Sequence, residues 1–339
     1  MSSSNLKLLL IEYDKKRMQA IYDAEKRKTE LYEKEPRLQK IDDELSKEAI
    51  NISKKMISSK DSNLLNELNN KIKDLKEEKE KILISLGKDN SYLKPNFECK
   101  DCNDTGYITN SYESVLCHCL KQKLFDIEYN KSNISNLEKD NFEHFSLDIF
   151  SNEVNENLYH SKLSPRKNME FIYNLSQNFI KNFDDENEKN LLFTGNTGLG
   201  KTFLSSCIAK EILKKGKTVL YQTAPVMLDT IMDYRFGKGN TSKNIYDNLL
   251  NVDLLIIDDL GTECINNMKF SELFNIINSR LLNSNNKITK TIISTNLNLD
   301  NLFSTYDERI VSRLVGNYNI CHFFGEDLRF KNKQKAECQ

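Results

Sequence analysis

The amino-terminal quarter of the chain has the hydrophobic pattern of long helices. Residues 5–86 contain no glycine and a single proline, Pro36. From residue 65 onward, apolar side chains recur at alternating steps of three and four, and polar Lys79 fills the one missing position. That spacing is typical of a heptad seam, which buries a narrow stripe against another helix. The seam consists of Leu65, Leu68, Ile72, Leu75, Ile82 and Leu86, and a looser seam consists of Leu38, Ile41, Leu45, Ile52 and Met56.

These seams predict a helical hairpin, or long antiparallel helices, over roughly residues 5–87. Pro36 suits the first turn of a new helix, because the N–H that proline lacks would have no partner there. Gly87 suits a helix end. We assign residues 1–87 to a helical, coiled-coil-like region that binds a partner. The alternative is a solvated helical spacer.

The carboxy-terminal half alternates between helical segments and short apolar strands. The predicted strands are NLLFTG (190–195), TVLYQT (218–223), DLLIIDD (253–259), TIISTN (291–296) and ICHFFG (320–325). Strands that alternate with helices predict a parallel sheet covered on both faces. The expected fold class is α/β, with a helical region ahead of the sheet.

Composition narrows the functional classes. The 49 basic and 50 acidic side chains leave a formal net charge of -1, so nucleic-acid binding would need a local basic patch. The amino terminus lacks the apolar stretch and the cleavage site of a signal peptide. The sequence contains no run of about 18 uncharged apolar residues, so we expect no membrane span. We therefore expect a cytoplasmic protein.

An apolar strand followed by a glycine-rich loop and a helix marks a phosphate site. The loop matches G-x-x-x-x-G-K-[ST] in full, the pattern of a P-loop. Its glycines let backbone N–H groups turn inward around a phosphate, and the helix amino terminus adds a positive end. Lys201 is expected to reach the β- and γ-phosphates of ATP, and Thr202 to bind Mg²⁺. The predicted nucleotide-binding residues are Gly195, Asn196, Thr197, Gly198, Leu199, Gly200, Lys201 and Thr202.

Two carboxylates close the strand Leu254-Leu255-Ile256-Ile257, which is the Walker B form. Asp258 is expected to hold Mg²⁺, and Asp259 to orient and polarise the attacking water. An acidic strand end that serves only solubility is the alternative. Asn296 ends the neighbouring predicted strand, where it can sense the γ-phosphate or merely cap a turn.

Two arginines, Arg309 and Arg313, lie four residues apart, which places them on one helix face. Such a face can present an arginine finger to a neighbouring subunit's phosphate, or form surface salt bridges. Arg329 follows the last predicted strand and could contact the nucleotide of its own chain.

The motifs, in chain order, are GNTGLGKT, LLIIDDLGTE, IISTN, ERIVSRL and FFGEDLR. These motifs and their order resemble those of the bacterial replicative-helicase loader family of the DnaC and DnaI type. ATPases of the IstB type, which help transposition, are cousins. SPRKNM at 164–169 also resembles this family, and the resemblance covers about residues 164–330. It implies an AAA+ core with little or no carboxy-terminal lid, with Arg313 as the finger and Arg329 as the sensor-2 arginine.

Four of the eight cysteines cluster within 21 residues. Cys99-x-x-Cys102 offers two thiolates to one metal, and Cys117-x-Cys119 could complete a tetrahedral Zn²⁺ site. His118 could replace one cysteine. Four reduced surface thiols, or an Fe–S cluster, are the alternatives. Loaders of the family have an amino-terminal helicase-binding domain that can contain zinc.

The predicted division is a helical region at 1–87, a zinc module at 88–125, a linker at 126–163 and an AAA+ ATPase core at 164–339. The first functional hypothesis is a helicase loader. It would bind ATP, Mg²⁺ and Zn²⁺, contact the hexameric helicase and single-stranded DNA, and self-assemble through the finger. The alternatives are a transposition helper and an adaptor that binds ATP without hydrolysing it. Candidate DNA contacts include Arg235, Lys238 and Lys243, and the alternative for these residues is a solvated surface loop.

Overall fold

The computed structural model describes residues 3–58, 62–109, 113–128, 140–237, 244–264, 266–282 and 287–329. The chain divides into two compact units. The helical unit comprises Leu8–Cys117, and the sheet unit comprises His118–Gln339 together with Met1–Lys7. Within the described ranges, no helix combines the length and the apolar composition needed to cross a membrane.

Three long helices make up most of the amino-terminal part: α1 (Ser3–Lys34), α2 (Pro36–Ser58) and α3 (Ser62–Ser85). Pro36 is the first residue of α2, as predicted, because a helix start has no hydrogen bond for the missing N–H to make. The three helices meet where Leu31, Leu38 and Leu83 are buried together. The helical region predicted from the seams is therefore confirmed.

The seam on α3 differs from the prediction at its carboxy-terminal end. Leu83 is fully buried, whereas Leu86 is 39% exposed. The reason is that α3 ends at Ser85, and Gly87, at φ +67°, turns the chain away. The Lys88 N–H donates to the carbonyl of Leu83 at 2.9 Å, which satisfies one of the last helical carbonyls.

Polar Lys79, at the missing seam position, forms an ion pair with Asp42 of α2. Leu75 is buried as predicted. The side chains of Leu65, Leu68 and Met56 lie outside the described residues. Docking of a partner on these helices stays a prediction.

A short antiparallel hairpin follows, formed by β1 (Tyr107–Thr109) and β2 (Ser114–Leu116). The sheet unit then begins with α4 (His118–Glu128). The larger sheet contains β3 (Asn190–Thr194), β4 (Val219–Thr223), β5 (Leu254–Leu260), β6 (Lys290–Thr295) and β7 (Tyr318–His322). Its order is β4-β5-β6-β3-β7, and every neighbouring pair is parallel.

Helices connect these strands and cover both faces of the sheet. They are α5 (Glu156–Tyr159), α6 (Pro165–Lys181), α7 (Lys201–Lys214), α8 (Ala224–Arg235), α9 (Asn244–Asn251), α10 (Asn267–Leu282), α11 (Leu299–Thr305) and α12 (Glu308–Asn317). Successive strand residues point to opposite faces. Leu255 and Ile257 accordingly enter one apolar cluster, and Leu254 and Ile256 enter the other. The predicted α/β fold with a covered parallel sheet is confirmed.

The edge strand β4 is closed by a side chain of α4. The Gln122 amide donates to the carbonyl of Val219 at 3.0 Å, and its oxygen accepts from the Val219 N–H at 2.7 Å. An edge strand otherwise presents unpaired backbone groups to other chains. The Gln122 side chain therefore pairs with the N–H and the carbonyl of Val219, which would otherwise be open to pairing with another strand.

Residues 140–163, which the sequence assigns to a linker, pack on the sheet unit. Phe150 is buried in one of its apolar clusters, and Phe145 and Ile149 pack against the same cluster. Arg166 at the start of α6 donates to the carbonyls of Phe150 and Asp148 at 3.2 and 3.3 Å. This part of the predicted linker thus adds to the core. Residues 129–139 of the linker lie outside the described residues.

Arg280 of α10 is a fully buried cation that organises the amino-terminal end of the sheet. Its guanidinium donates to the Thr291 hydroxyl at 2.9 Å. It also donates to the carbonyls of Leu249, Val252 and Lys290 at 2.7 to 3.0 Å. Burial lowers the pKa of Arg280 to about 10. The side chain stays charged near neutral pH because these oxygens replace water around it.

Replacing Arg280 with methionine is expected to lower the free energy of unfolding by about 3–5 kcal/mol, since several buried carbonyls would lose their donor. Urea denaturation measures the change. Arg235→Met is the matched control, because Arg235 ion-pairs with Glu272 with 45% of its side chain exposed. Surface pairs contribute at most about 1 kcal/mol. Equal losses in the two variants would contradict the role given to Arg280.

Candidate functional site: a nucleotide cavity and a cysteine cluster

The predicted P-loop lies between β3 and α7, at the carboxyl end of the central strands. Gly200 has φ +91° and stands immediately before α7. At Gly195, a Cβ would lie 2.1 Å from the carbonyl oxygen of Phe323. At Gly198, with φ +77°, it would lie 2.0 Å from the carboxylate of Asp327. These two positions accept only glycine, since the chain that follows β7 crosses the loop there.

Lys201, the first residue of α7, lies inside the loop. Its Nζ donates to the carbonyls of Gly195 and Asn196 at 2.5 and 2.7 Å, and to Oδ1 of Asn296 at 2.8 Å. Burial lowers the pKa of Lys201 to about 8, against the opposing charges of Asp259 and Asp258. The ammonium group is therefore mostly protonated at neutral pH. It is held where a phosphate would meet both the loop and the tip of β6.

The Walker B carboxylate of Asp258 faces the P-loop helix. The Thr202 hydroxyl donates to Oδ2 of Asp258 at 3.1 Å. A hydroxyl and a carboxylate at this separation are oxygen ligands of the kind that Mg²⁺ prefers. The donor set fits the metal that ATP sites of this type use, and Thr202 and Asp258 are the residues that would hold it.

Two further hydroxyl groups donate hydrogen bonds to the carboxylate of Asp258 and were not predicted from the sequence. Tyr221 of β4 donates to Oδ2 at 2.9 Å, and Ser294 of β6 donates to Oδ1. Both strands flank β5 in the sheet. Only the strand order brings these hydroxyls to Asp258, so no local motif signals them.

Asp259 adopts the left-handed backbone region, with φ +55°. Its side chain lines the cavity described below. Burial, followed by the charge of Asp258, raises the pKa of Asp259, while Lys201 and Arg329 act in the opposite direction. A carboxylate with a raised pKa accepts a proton more readily than an ordinary aspartate.

A cavity of about 460 Å³ runs from the P-loop to the segment before α6. Lys201, Thr202, Asp259, Asn296 and Arg329 line its polar end. The structure thus brings together the predicted P-loop, the second Walker B carboxylate, the strand-tip asparagine and the last arginine. The Leu328 N–H donates to the carbonyl of Gly198 at 3.0 Å, which ties the Arg329 segment to the loop.

The other end of the cavity is apolar and was not predicted. His144, Phe145, Ile149 and Phe150 line it. The Phe145 ring stacks on Tyr173 of α6, with centroids 4.9 Å apart. The sequence does contain an indication of this apolar end, because three phenylalanines lie within residues 142–150. A solvated linker would not be expected to contain so many large apolar side chains. This end has the apolar, flat surfaces that suit a planar base.

Arg309 and Arg313 lie on one face of α12, as their spacing predicts, and do not line the cavity. Both guanidinium groups lie over the ring of Phe274, at 5.2 and 4.5 Å from its centroid. Arg313 donates to Asn278 Oδ1 at 2.7 Å, and Arg309 ion-pairs with Asp307. Arg313 is thus braced by α10 while lying outside the cavity of its own chain.

The thiols of Cys99, Cys102, Cys117 and Cys119 lie within 4.8 Å of one another. Cys99 Sγ and Cys117 Sγ are 3.8 Å apart, far beyond disulfide bonding distance. Four sulfurs at about 2.3 Å from a tetrahedral zinc would be about 3.8 Å apart, so the cluster fits Zn²⁺. His118 instead groups with Cys99 and Asp101, and the four-cysteine set is the more complete one.

The backbone around the cysteine cluster is fixed by a buried carboxylate. Asp104 accepts hydrogen bonds from the N–H groups of Glu98 and Cys99 at 2.9 and 2.8 Å. The Cys117 N–H donates to the carbonyl of Gly106 at 2.8 Å, across the hairpin. These bonds present the thiols of Cys99 and Cys117 to one point.

Of the candidate DNA contacts, Arg235 is described, and it pairs with Glu272 and lies over the Tyr246 ring. Lys238 and Lys243 lie outside the described residues.

The sequence model of the family described as IstB-like ATP binding protein matches residues 154–336. The replicative helicase loader DnaC of Escherichia coli strain K12 is 29% identical over 143 residues, which are 42% of this chain and 56% of that protein. A putative insertion sequence ATP-binding protein, y4pL of Sinorhizobium fredii, is 29% identical over 147 residues, which are 43% of this chain and 59% of that protein.

This chain therefore spans little more than half the length of the curated relatives it matches. Among solved structures, a crystal structure of the DnaC helicase loader has a TM-score of 0.43 and 22% identity, over 56% of this chain and 98% of that one. The family match covers more than half of this chain. The protein belongs to the IstB-like ATP-binding protein family, the DnaC/IstB type of AAA+ protein that its motifs predict.

Proposed function

We propose that this protein is an ATP-dependent loader of a replicative DNA helicase. The observation that carries the proposal is the cavity in which Lys201, Thr202, Asn296 and Arg329 meet at one end and aromatic side chains at the other. That arrangement suits a nucleoside triphosphate. Lys201 would pair with the β- and γ-phosphates, and the apolar end would take the base.

Hydrolysis in this proposal depends on the chain's own carboxylates and on a neighbouring chain. Thr202 and Asp258 would hold Mg²⁺, which would supply positive charge to stabilise the phosphates. Asp259, with its raised pKa, orients and polarises the attacking water. Asn296 and Arg329 sense the γ-phosphate, and Arg313 of a neighbouring copy completes the site. Hydrolysis by single chains should consequently be weak and should rise on assembly or DNA binding.

In this proposal, the amino-terminal part binds the helicase hexamer, and the AAA+ core binds single-stranded DNA. The support is that three long helices and then a cysteine cluster that fits zinc precede the ATP-binding family match at 154–336 in the chain. The alternative is a transposition helper, which the family description and the insertion-sequence relative favour. Binding of purified helicase, rather than of a transposase, by the full chain distinguishes the two.

Lys201→Ala is expected to weaken ATP binding by about 100-fold, because a buried cation that meets the phosphates contributes roughly 2–3 kcal/mol. Equilibrium binding of a fluorescent ATP analogue measures the loss. Lys214→Ala is the matched control, since this lysine lies in the last turn of the same helix and pairs with Glu211 at the surface. The proposed site is wrong if both variants bind the analogue as the unsubstituted chain does.

A further inference from the structure

The carboxylate of Asp258 is enclosed by four donors, one each from α7, β4, β5 and β6. Tyr221 and Thr202 donate to Oδ2 at 2.9 and 3.1 Å. Ser294 and the backbone N–H of Asp259 donate to Oδ1, the latter at 3.2 Å. An ionised carboxylate accepts about four hydrogen bonds, so its capacity is filled and its orientation is fixed.

Tyr221 is placed for this contact by the sheet. Its Cα is paired with Ile256 of β5, so that its side chain shares a face with Asp258, two residues further along the strand. The residue is 2% exposed, and its ring packs in an apolar cluster. A buried phenol needs a partner for its hydroxyl, and the hydroxyl of Tyr221 donates to Asp258 at 2.9 Å.

Binding of a nucleotide with Mg²⁺ would affect these hydrogen-bond donors differently. In a P-loop, the hydroxyl of the Ser/Thr after the lysine serves as a magnesium ligand, so Thr202 would turn from Asp258 to the metal. The hydroxyls of Tyr221 and Ser294 come from strands on either side of β5, and each binds a different oxygen of the carboxylate. They hold Asp258 in place after Thr202 has turned.

We infer that Tyr221 and Ser294 are positioning residues that hold the Asp258 carboxylate for Mg²⁺. The inference rests on the proposed ATP site and adds two residues to it. Partners that orient a metal-binding side chain typically change metal affinity by about 10- to 100-fold when they are removed. Neither residue is assigned contact with the nucleotide, so binding without metal should not depend on them.

Tyr221→Phe removes only the hydroxyl and keeps the ring. We expect the Mg²⁺ concentration for half-maximal tightening of ATP-analogue binding to rise by about 10-fold. Affinity for the analogue in EDTA should be unchanged. Tyr318→Phe is the matched control: this tyrosine is also buried, at the first position of β7, and its hydroxyl bonds to Thr291 rather than to a cavity residue.

An unchanged Mg²⁺ requirement in Tyr221→Phe, or an equal shift in Tyr318→Phe, overturns the inference. A folded Tyr221→Phe chain that no longer binds the analogue in EDTA also overturns the inference. Should Tyr221→Phe fail to fold, as judged by circular dichroism, Ser294→Ala takes its place. It must then show the same selective rise, and an unchanged requirement overturns the inference. If the unsubstituted chain binds no ATP analogue, the proposed function itself fails, which is a different result from binding with unaltered Mg²⁺ dependence.

Discussion

Arg313→Ala is expected to reduce ATP turnover by about three orders of magnitude or more, the usual contribution of an arginine finger, and to leave ATP affinity unchanged. The reason is geometric. Arg313 lies over Phe274 and donates to Asn278, outside the cavity of its own chain. A residue in that place can act on phosphate only across an interface between two copies. Steady-state turnover and analogue binding, measured on the same preparation, give the two quantities.

Mixing two inactive variants tests the same assignment. Lys201→Ala lacks the phosphate-binding cation but retains Arg313, while Arg313→Ala retains the cation. If Arg313 acts in trans, mixed assemblies should recover part of the turnover. Arg309→Ala is the control on the same helix face. An equal loss of ATP affinity in Arg313→Ala and Lys201→Ala would show that Arg313 serves the nucleotide site of its own chain.

Removing zinc is expected to unfold the segment around residues 99–119 and to spare the nucleotide site. Structural zinc contributes on the order of 10 kcal/mol to small sites, and this hairpin has strands of only three residues each. We expect one Zn²⁺ per chain, bound by Cys99, Cys102, Cys117 and Cys119. Elemental analysis of freshly purified, reduced protein gives the stoichiometry, and hydrogen exchange at the Cys99 and Cys117 amides reports the loss of structure.

Cys102→Ser should lose the metal, whereas Cys264→Ser, at an exposed cysteine, should retain it. ATP-analogue binding should survive chelation. A metal-free chain whose Cys99 and Cys117 amides stay protected would show that the cluster needs no zinc.

Local sequence predicted the parts of the site that are contiguous in the chain. The P-loop, Asp258 and Asp259 and the tip residue Asn296 each lie within one strand-and-turn segment, where spacing alone fixes the geometry. Tyr221 and Ser294 could not be predicted, because their contact with Asp258 depends on the order of β4, β5 and β6. Strand order is set by how the whole sheet packs, which no local pattern encodes.

Two other differences between the prediction from sequence and the structure have similar causes. Residues 140–150 look irregular in sequence because 3-10 turns, such as Phe142–His144, have no long hydrophobic period. Their aromatic side chains nevertheless pack on the sheet and line the cavity. On α3, the heptad pattern continues to Leu86, but the helix ends one residue earlier. The turn at Gly87 therefore removes Leu86 from the buried face.

A reconstituted loading reaction tests the proposed function most directly. Purified replicative helicase hexamer, circular single-stranded DNA and the full chain are combined with ATP, and the helicase retained on the DNA is measured. We expect retention to require both this chain and ATP, and to fall to background with Lys201→Ala. Binding to a transposase in place of the helicase, with no helicase retained on the DNA, would contradict it.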